Sequence, residues 1–504
     1  MKSKVTGFRR FLETAAWVMA LVLVLGMAGA ALVMTAQLRM PEKIHYIFGD
    51  VAGNVLPAMG MLAAAWALWR LMMRHKRLIS ILAVVWTAVT ACVLVGMGTA
   101  QEVDFLYVCQ AAESFAAGDY SPMARDYFHV YSYQLGTALP LEGIIRLLPG
   151  VSIELLMQAV NAALSMGAAL IFAAMGRLAF EEERVHAASM ALYVLCLPLA
   201  VYCIHVYGTL PMVFFAGAAM LCFALYIKKR RCSYGFAYAL CIALAYMLKP
   251  NGAVPLLAMM ICALLYGMER GDWRLLGFAV LSAVLAVMLA RFAIWQYEWR
   301  SGVTLREDVS MLARLVMGLQ DGPRAAGWYN GYTEQFFAGT VTVEQEKAVA
   351  MQDLAVRLGE LKADPVRAAI FTVQKALSQW LEPTYGTLLY GNYCKQTGPI
   401  ASAAQAIFSE QSALRMALEY VMKGWQAALY ALCSIGAIAC IRAKRGAAAL
   451  ILPICALGGF LYHMLFEAKS QYIYVYAIYL VPLAGYGLCA AQNWLCRRVS
   501  GKKN

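Results

Sequence analysis

Residues 74–105 read RHKRLISILAVVWTAVTACVLVGMGTAQEVDF. The basic group Arg74-His75-Lys76-Arg77 comes first, then an uncharged apolar run at about 79–99, then Glu102 and Asp104. As a helix, such a run is roughly 30 Å long, one hydrocarbon thickness. Its basic end reads as cytoplasmic and its acidic end as the opposite face, because short cytoplasmic connections collect Lys and Arg. One stretch therefore predicts both a membrane span and its orientation.

The rest of the chain repeats this pattern. Of its 504 residues, 62% are hydrophobic and only 14% charged, and the mean hydropathy is +0.63. A soluble protein carries about 25% charge, so this surface belongs to lipid. Apolar runs predict twelve spans, at about 11–35, 51–72, 79–99, 153–176, 186–204, 210–227, 234–248, 252–268, 274–295, 416–440, 447–465 and 472–493. With the N-terminus placed in the cytoplasm, the inward segments hold more than half of the 42 Lys and Arg. Both termini are then cytoplasmic. The fold class expected is all-α, a polytopic plasma-membrane protein. The run at 11–36 follows a basic head but is too long for a signal-peptide core, so it reads as an uncleaved first span.

The net charge of +13 does not point to nucleic acid. Its cations cluster in short gaps between spans, as in Lys228-Lys229-Arg230-Arg231, and follow membrane topology instead. The 14 cysteines lie mostly inside apolar runs, with no metal-site spacing. Only Cys109 and Cys394 fall on the outer side, and a bridge between them is disfavoured.

Two outward segments, 100–152 and 296–415, are too long for simple connections, and long loops tend to carry function. In the first, 103–117 predicts a helix lying on the membrane. The piece 138–148 reads as an interfacial helix, since an extra span there would put Lys228 to Arg231 on the wrong side. In the second, helical spacing runs over 343–361, and Asp364-Pro365 starts another helix to about 381. The organisation expected is a two-span addition at 1–77, a membrane core at 78–295 with its outer loop 100–152, a loop region at 296–415, and a three-span bundle at 416–504.

Chemistry gathers at the outward rims. Asp104 taken alone reads first as a solvated loop acid near a helix start. Beside it, Glu102 and Tyr107, then Tyr131, Tyr133 and Gln134, could line a polyol site, although interfacial tyrosines are commonly anchors. Other outward turns carry His205-Val206-Tyr207, Lys249-Pro250-Asn251 and Glu467-Ala468-Lys469-Ser470-Gln471-Tyr472. Lys249 and Lys469 are cations on the face that spans normally keep free of them. Each could be snorkelling. Together, lysines suit a phosphate and the acid suits activation of a hydroxyl.

From about residue 80 onward the chain resembles the GT-C glycosyltransferases that use lipid-linked sugars. Its likeness is to bacterial members related to protein O-mannosyltransferases and aminoarabinose transferases, of the glycosyltransferase family 39 kind. The likeness rests on Val103-Asp104, the stretch AESFAAGDY from Ala112 to Tyr120, Tyr131 to Gly136, Tyr207-Gly208-Thr209-Leu210-Pro211, Leu248-Lys249-Pro250-Asn251, Gly327-Trp328-Tyr329-Asn330-Gly331, Trp380-Leu381-Glu382-Pro383-Thr384 and Glu467 to Tyr472. The resemblance implies a polyprenyl phosphate or diphosphate sugar as donor. It implies a cell-envelope glycan, lipid or protein as acceptor, and an extracytoplasmic site. Asp104 would be the catalytic base. Lys249, Lys469 and His205 would hold the donor phosphate. Glu102, Tyr107, Tyr131, Tyr133, Gln134 and Tyr207 would contact substrate, with Asn251, Glu467, Gln471 and Tyr472. Many relatives carry two adjacent acids where this chain has Val103, Asp104 and Phe105, which weakens a two-carboxylate metal site and leaves a divalent metal open as cofactor. The rival reading is a transporter or flippase of an amphiphile, which would place charge near the bilayer midplane. Arg291 is the main candidate for such a charge.

Overall fold

The computed structural model describes residues 2–49, 51–305, 309–336 and 341–499. The chain opens with α1 (Lys2–Val33), the strands β1 (Met34–Arg39) and β2 (Lys43–Phe48), α2 (Val51–Arg74) and α3 (Arg77–Met97). Next come α4 (Val103–Ala116), α5 (Asp126–Val130), α6 (Leu135–Leu147), α7 (Ile153–Ala179), α8 (Arg184–Val194) and α9 (Leu197–Val201). They are followed by α10 (Thr209–Lys229), α11 (Cys232–Leu248), α12 (Ala253–Arg270), α13 (Arg274–Ser301), α14 (Met311–Leu319), α15 (Val343–Ala363) and α16 (Pro365–Trp380). The last are α17 (Thr387–Tyr393), α18 (Ala401–Phe408), α19 (Ala413–Ala443), α20 (Ala447–Leu465) and α21 (Ser470–Val499).

Among the described residues, ten helices are long and apolar enough to cross a membrane. The segment expected as one span at 186–204 is bent by 65° between Val194 and Leu197. Pro198 follows that break, where it cannot continue the preceding helix. The run at 234–248 is a shorter helix, α11. Every one of the twelve predicted runs is thus helical, and the protein is a multi-pass α-helical membrane protein.

At the centre lies α21, enclosed from Ser470 to Cys489 at nearly every position, with Tyr474, Tyr476 and Tyr479 buried. It packs on α19, α8, α20 and α7. Residues 1–77 join this body: α1 runs along α19 and α20, and α2 packs on α19 and α8. The segment 36–50, expected as a plain connection, forms most of an antiparallel hairpin that pairs Met34 with Phe48 and Arg39 with Lys43. Met34, Thr35, Ala36 and Leu38 of β1, Ile44 of β2 and Glu42 of the turn are buried. The amide of Ala36 donates to the Leu381 carbonyl (3.2 Å) and that of Ile44 to the Arg324 carbonyl (3.0 Å), which ties the hairpin to the 296–415 region.

The two long segments form a cap at one end of the spans. Gly98, left-handed at φ 57°, ends α3 just before the first of them. The expected surface helices are present as α4 and α6. Glu142 of α6 ties that helix to α13 through an ion pair with Arg300 (2.7 Å) and a hydrogen bond from Tyr297 (2.8 Å), while Arg146, one turn on in α6, pairs with Glu142 (2.9 Å) and donates to the Phe115 carbonyl of α4 (2.8 Å). In the second segment, Asp364 accepts from the amide of Arg367 and Pro365 opens α16, as its sequence predicts. Cys109 and Cys394 are both free thiols.

Candidate active site

Beneath the cap is a chamber of about 1120 Å³. Its polar wall is built from three chain positions far apart in sequence.

The first is the start of α4. Val103 takes φ 46°, a conformation that strains a β-branched residue by about 1–2 kcal/mol. Such strain persists only where the surroundings fix it. Here Gln101 does so. Its amide nitrogen donates to the Ile204 carbonyl and its oxygen accepts from the Val206 amide, both at 2.9 Å. Asp104 then opens onto the chamber, and Phe105 stacks on His205 with ring centres 4.5 Å apart.

The second is the end of α11. Gly136 and Gly208 lie against it so closely that a Cβ on either would stand 2.0 Å from the Met247 carbonyl oxygen or 2.1 Å from that of Leu248. Thr137 donates to the same Leu248 carbonyl (2.7 Å). This packing sets Lys249. Its ammonium donates to Thr209 Oγ1 (2.7 Å) and lies 4.2 Å from the centre of the Tyr207 ring.

The third is the turn before α21. Lys469 pairs with Glu42 (3.0 Å) and lies over the Tyr390 ring (4.7 Å). Glu42, in the hairpin turn, also pairs with Arg324 (2.8 Å) and accepts from Tyr390 (2.5 Å). Tyr472 donates to Glu467 (3.0 Å) on the same wall. Buried Lys375 of α16 steadies this turn by donating to the carbonyls of Met464 (3.0 Å), Phe466 (2.8 Å) and Gly318.

The charges tune one another. Although the Asp104 side chain is open to the chamber, the enclosing walls desolvate it and push its pKa above the ordinary value, while Lys469 and Lys249 pull it back. Burial lowers Lys249 to about 7, against the opposing pull of Asp104. Neither lysine closes on Asp104 as an ion pair; Lys469 is taken up by Glu42. Burial works against the charge of Glu42, but Lys469, Tyr390 and Arg324 overcome it and hold its carboxyl below the ordinary value. Burial raises Glu467.

Eleven of the fourteen expected site residues line this chamber: Asp104, Lys249 and Lys469 with Glu102, Tyr131, Tyr133, Tyr207, Asn251, Glu467, Gln471 and Tyr472. Three do not. His205 is buried behind the wall, and burial with the nearby lysines lowers it to about 3. Its ring packs against Phe105. Gln134 is buried and donates to the Tyr207 hydroxyl. Tyr107 faces a smaller outer pocket and stacks on Tyr127 (4.8 Å). Sequence reasoning missed Glu42, Arg324 and Tyr390. The alternation Ala36, Leu38 around Pro41-Glu42 was the available signal for the hairpin that carries the first.

Among the described residues no three His, Cys, Asp or Glu side chains converge as a metal site. Asp104 shares the chamber wall with Lys249 and Lys469, and no step below runs through a metal.

The chain is similar to two solved structures of the oligosaccharyltransferase of the archaeon Archaeoglobus fulgidus. One is tethered through a disulfide bond to an acceptor peptide containing the NVT sequon. It is 11% identical with a TM-score of 0.45, over 85% of this chain and 51% of that one. The other, AglB in complex with an inhibitory peptide and a dolichol-phosphate, is 12% identical with a TM-score of 0.41, over 86% and 53%. The chain spans about half the length of these structures. No protein-family model matches it, and no curated protein does.

Proposed function

We propose that this protein is a GT-C-type membrane glycosyltransferase. It moves a sugar, a hexose or pentose, from a polyprenyl phosphate or diphosphate to an acceptor hydroxyl at the outer face of the plasma membrane. One observation carries this reading: Asp104, Lys249 and Lys469 share the wall of a single chamber. The chamber is not polar throughout. On α13 its wall is Val287, Ala290 and Ile294, and Val287 is an exposed, lipid-type surface. That combination suits a substrate with a charged head and an apolar tail.

In the reaction, the acceptor oxygen forms a bond to the anomeric carbon as that carbon's bond to the phosphate oxygen breaks. The electron pair leaves with the lipid phosphate. Asp104 takes the acceptor proton. Its raised pKa makes it a stronger base than an ordinary aspartate. Protonated Lys249, together with Lys469, offsets the charge on the departing phosphate. A single displacement of this kind inverts the anomeric configuration. The acceptor is a cell-envelope glycan, lipid or protein.

Purified protein incubated with a panel of polyprenyl-linked sugars should release lipid phosphate with one of them. Asp104→Asn should slow that release by about 10²–10⁴-fold while leaving the protein folded. Near-normal turnover by this variant would remove Asp104 from the chemistry.

A further inference from the structure

Arg291 is the one charged residue of α13 between Arg274 and Glu298. Its depth can be read from the aromatic residues on the same helix. Trp273 and Trp295 are both exposed, and about 33 Å separates them at 1.5 Å per residue, close to a hydrocarbon thickness. Trp299 stacks near Trp295, centres 6.2 Å apart, and marks the chamber-side belt. Arg291 lies one helical turn, about 6 Å, inside that belt. This is where the head of a membrane lipid meets its chains.

Along α13 the nearest chamber-lining neighbours of Arg291 are apolar, Val287, Ala290 and Ile294, with Glu298 two turns further on. Among the described residues no hydrogen-bond or ion-pair partner meets its guanidinium. An arginine that only snorkelled would turn to the lipid-facing belt. This one faces the cavity, at the sector where the cavity wall becomes lipid-exposed surface. An unmatched cation at that depth is costly unless an anion or water meets it.

We propose that Arg291 forms a second lipid-phosphate subsite, at the threshold between bilayer and chamber and separate from Lys249 and Lys469. It takes the phosphate of an isoprenoid phosphate, or of an ordinary phospholipid, through the planar fork of the guanidinium. Only the isoprenoid identity rests on the function proposed above. Phosphate capture at this threshold does not.

The test uses the full chain in phosphatidylcholine nanodiscs with a polyprenyl phosphate bearing a diazirine in its first isoprene unit. Light-induced crosslinks are mapped by mass spectrometry. Wild type should crosslink on α13. Arg291→Gln should lose about 10- to 100-fold of that signal at sub-saturating probe, the worth of a charge-assisted contact. Arg291→Lys should restore part of it, and Lys469→Ala should keep it. An excess of phosphatidylglycerol separates the sources: displacement identifies a site for any lipid phosphate, and retention identifies an isoprenoid site, and both uphold the subsite. Equal α13 crosslinking by wild type and a normally melting Arg291→Gln overturns it, as does absence of any α13 crosslink in wild type. Loss of sugar transfer with crosslinking intact counts against the glycosyltransferase reading alone.

Discussion

Asp104 and Lys249 stand in one chamber with their proton equilibria moved in opposite senses, the acid upward and the base downward. Both shifts favour the uncharged forms, and the proposed chemistry needs the charged ones. Lys249 is lowered to about 7, so its ammonium is lost as pH rises through that value. Asp104 is raised, so its base form is lost at a higher pH than for an ordinary aspartate. The profile of kcat/KM against pH should therefore be a narrow bell, with its alkaline limb near 7 and its acid limb above the ordinary carboxylate value. A plateau from about pH 6 to 9 would show that Lys249 does not act as a cation. These residues were legible because charge is scarce in this chain, and each stands where an apolar run ends. His205 looked equally apt by position. Its neutrality comes from burial among Phe105, Tyr202 and Tyr390, and a local sequence carries no record of burial by distant rings.

At the level of elements, the place of Lys249 depends on two glycines that admit the end of α11. Gly208→Ala would drive a Cβ to 2.1 Å from the Leu248 oxygen and 2.5 Å from Thr137 Oγ1. The backbone must then move, at about 1–3 kcal/mol or more. We expect a lower melting temperature and a raised donor KM. A variant with unaltered KM would mean that the α11 end does not locate the phosphate. The hairpin is the second such element. Glu42→Gln leaves Lys469 and Arg324 without their counter-charge, and should destabilise the detergent-purified protein by about 1–3 kcal/mol. An unchanged thermal midpoint would place the hairpin outside the stabilising framework. The helices α15 and α16 were readable from spacing and caps. The hairpin left only a faint trace, the short alternation at Ala36 and Leu38, and its docking onto the Leu381 and Arg324 carbonyls involves residues hundreds of positions away.

Across the whole molecule, all twelve apolar runs became helices, since bilayer-length periodicity is a strong signal. The bend between α8 and α9 was hidden because both halves are apolar, and composition does not report direction. Topology gives the remaining prediction. In a background lacking the exposed Cys92, Cys232 and Cys496, Glu113→Cys on α4 should react with a membrane-impermeant maleimide in intact cells, and Lys229→Cys should not. The reverse pattern would turn the protein over and place its chamber in the cytosol. How the two long segments meet above the chamber was beyond the sequence, since each closes on residues more than a hundred positions away.

The Glu42–Lys469 pair also has a bearing on how the protein is made. The carboxylate belongs to the first hairpin to leave the ribosome, while the ammonium that meets it precedes the last helix. At about 5–20 residues per second, tens of seconds separate their synthesis. Until Arg324 is made the early half holds an acid with none of its partners, and the ammonium of Lys469 is the last of them to arrive. The chamber closes only when translation is almost complete, so a nascent chain gains this ion pair last and an interrupted one never gains it.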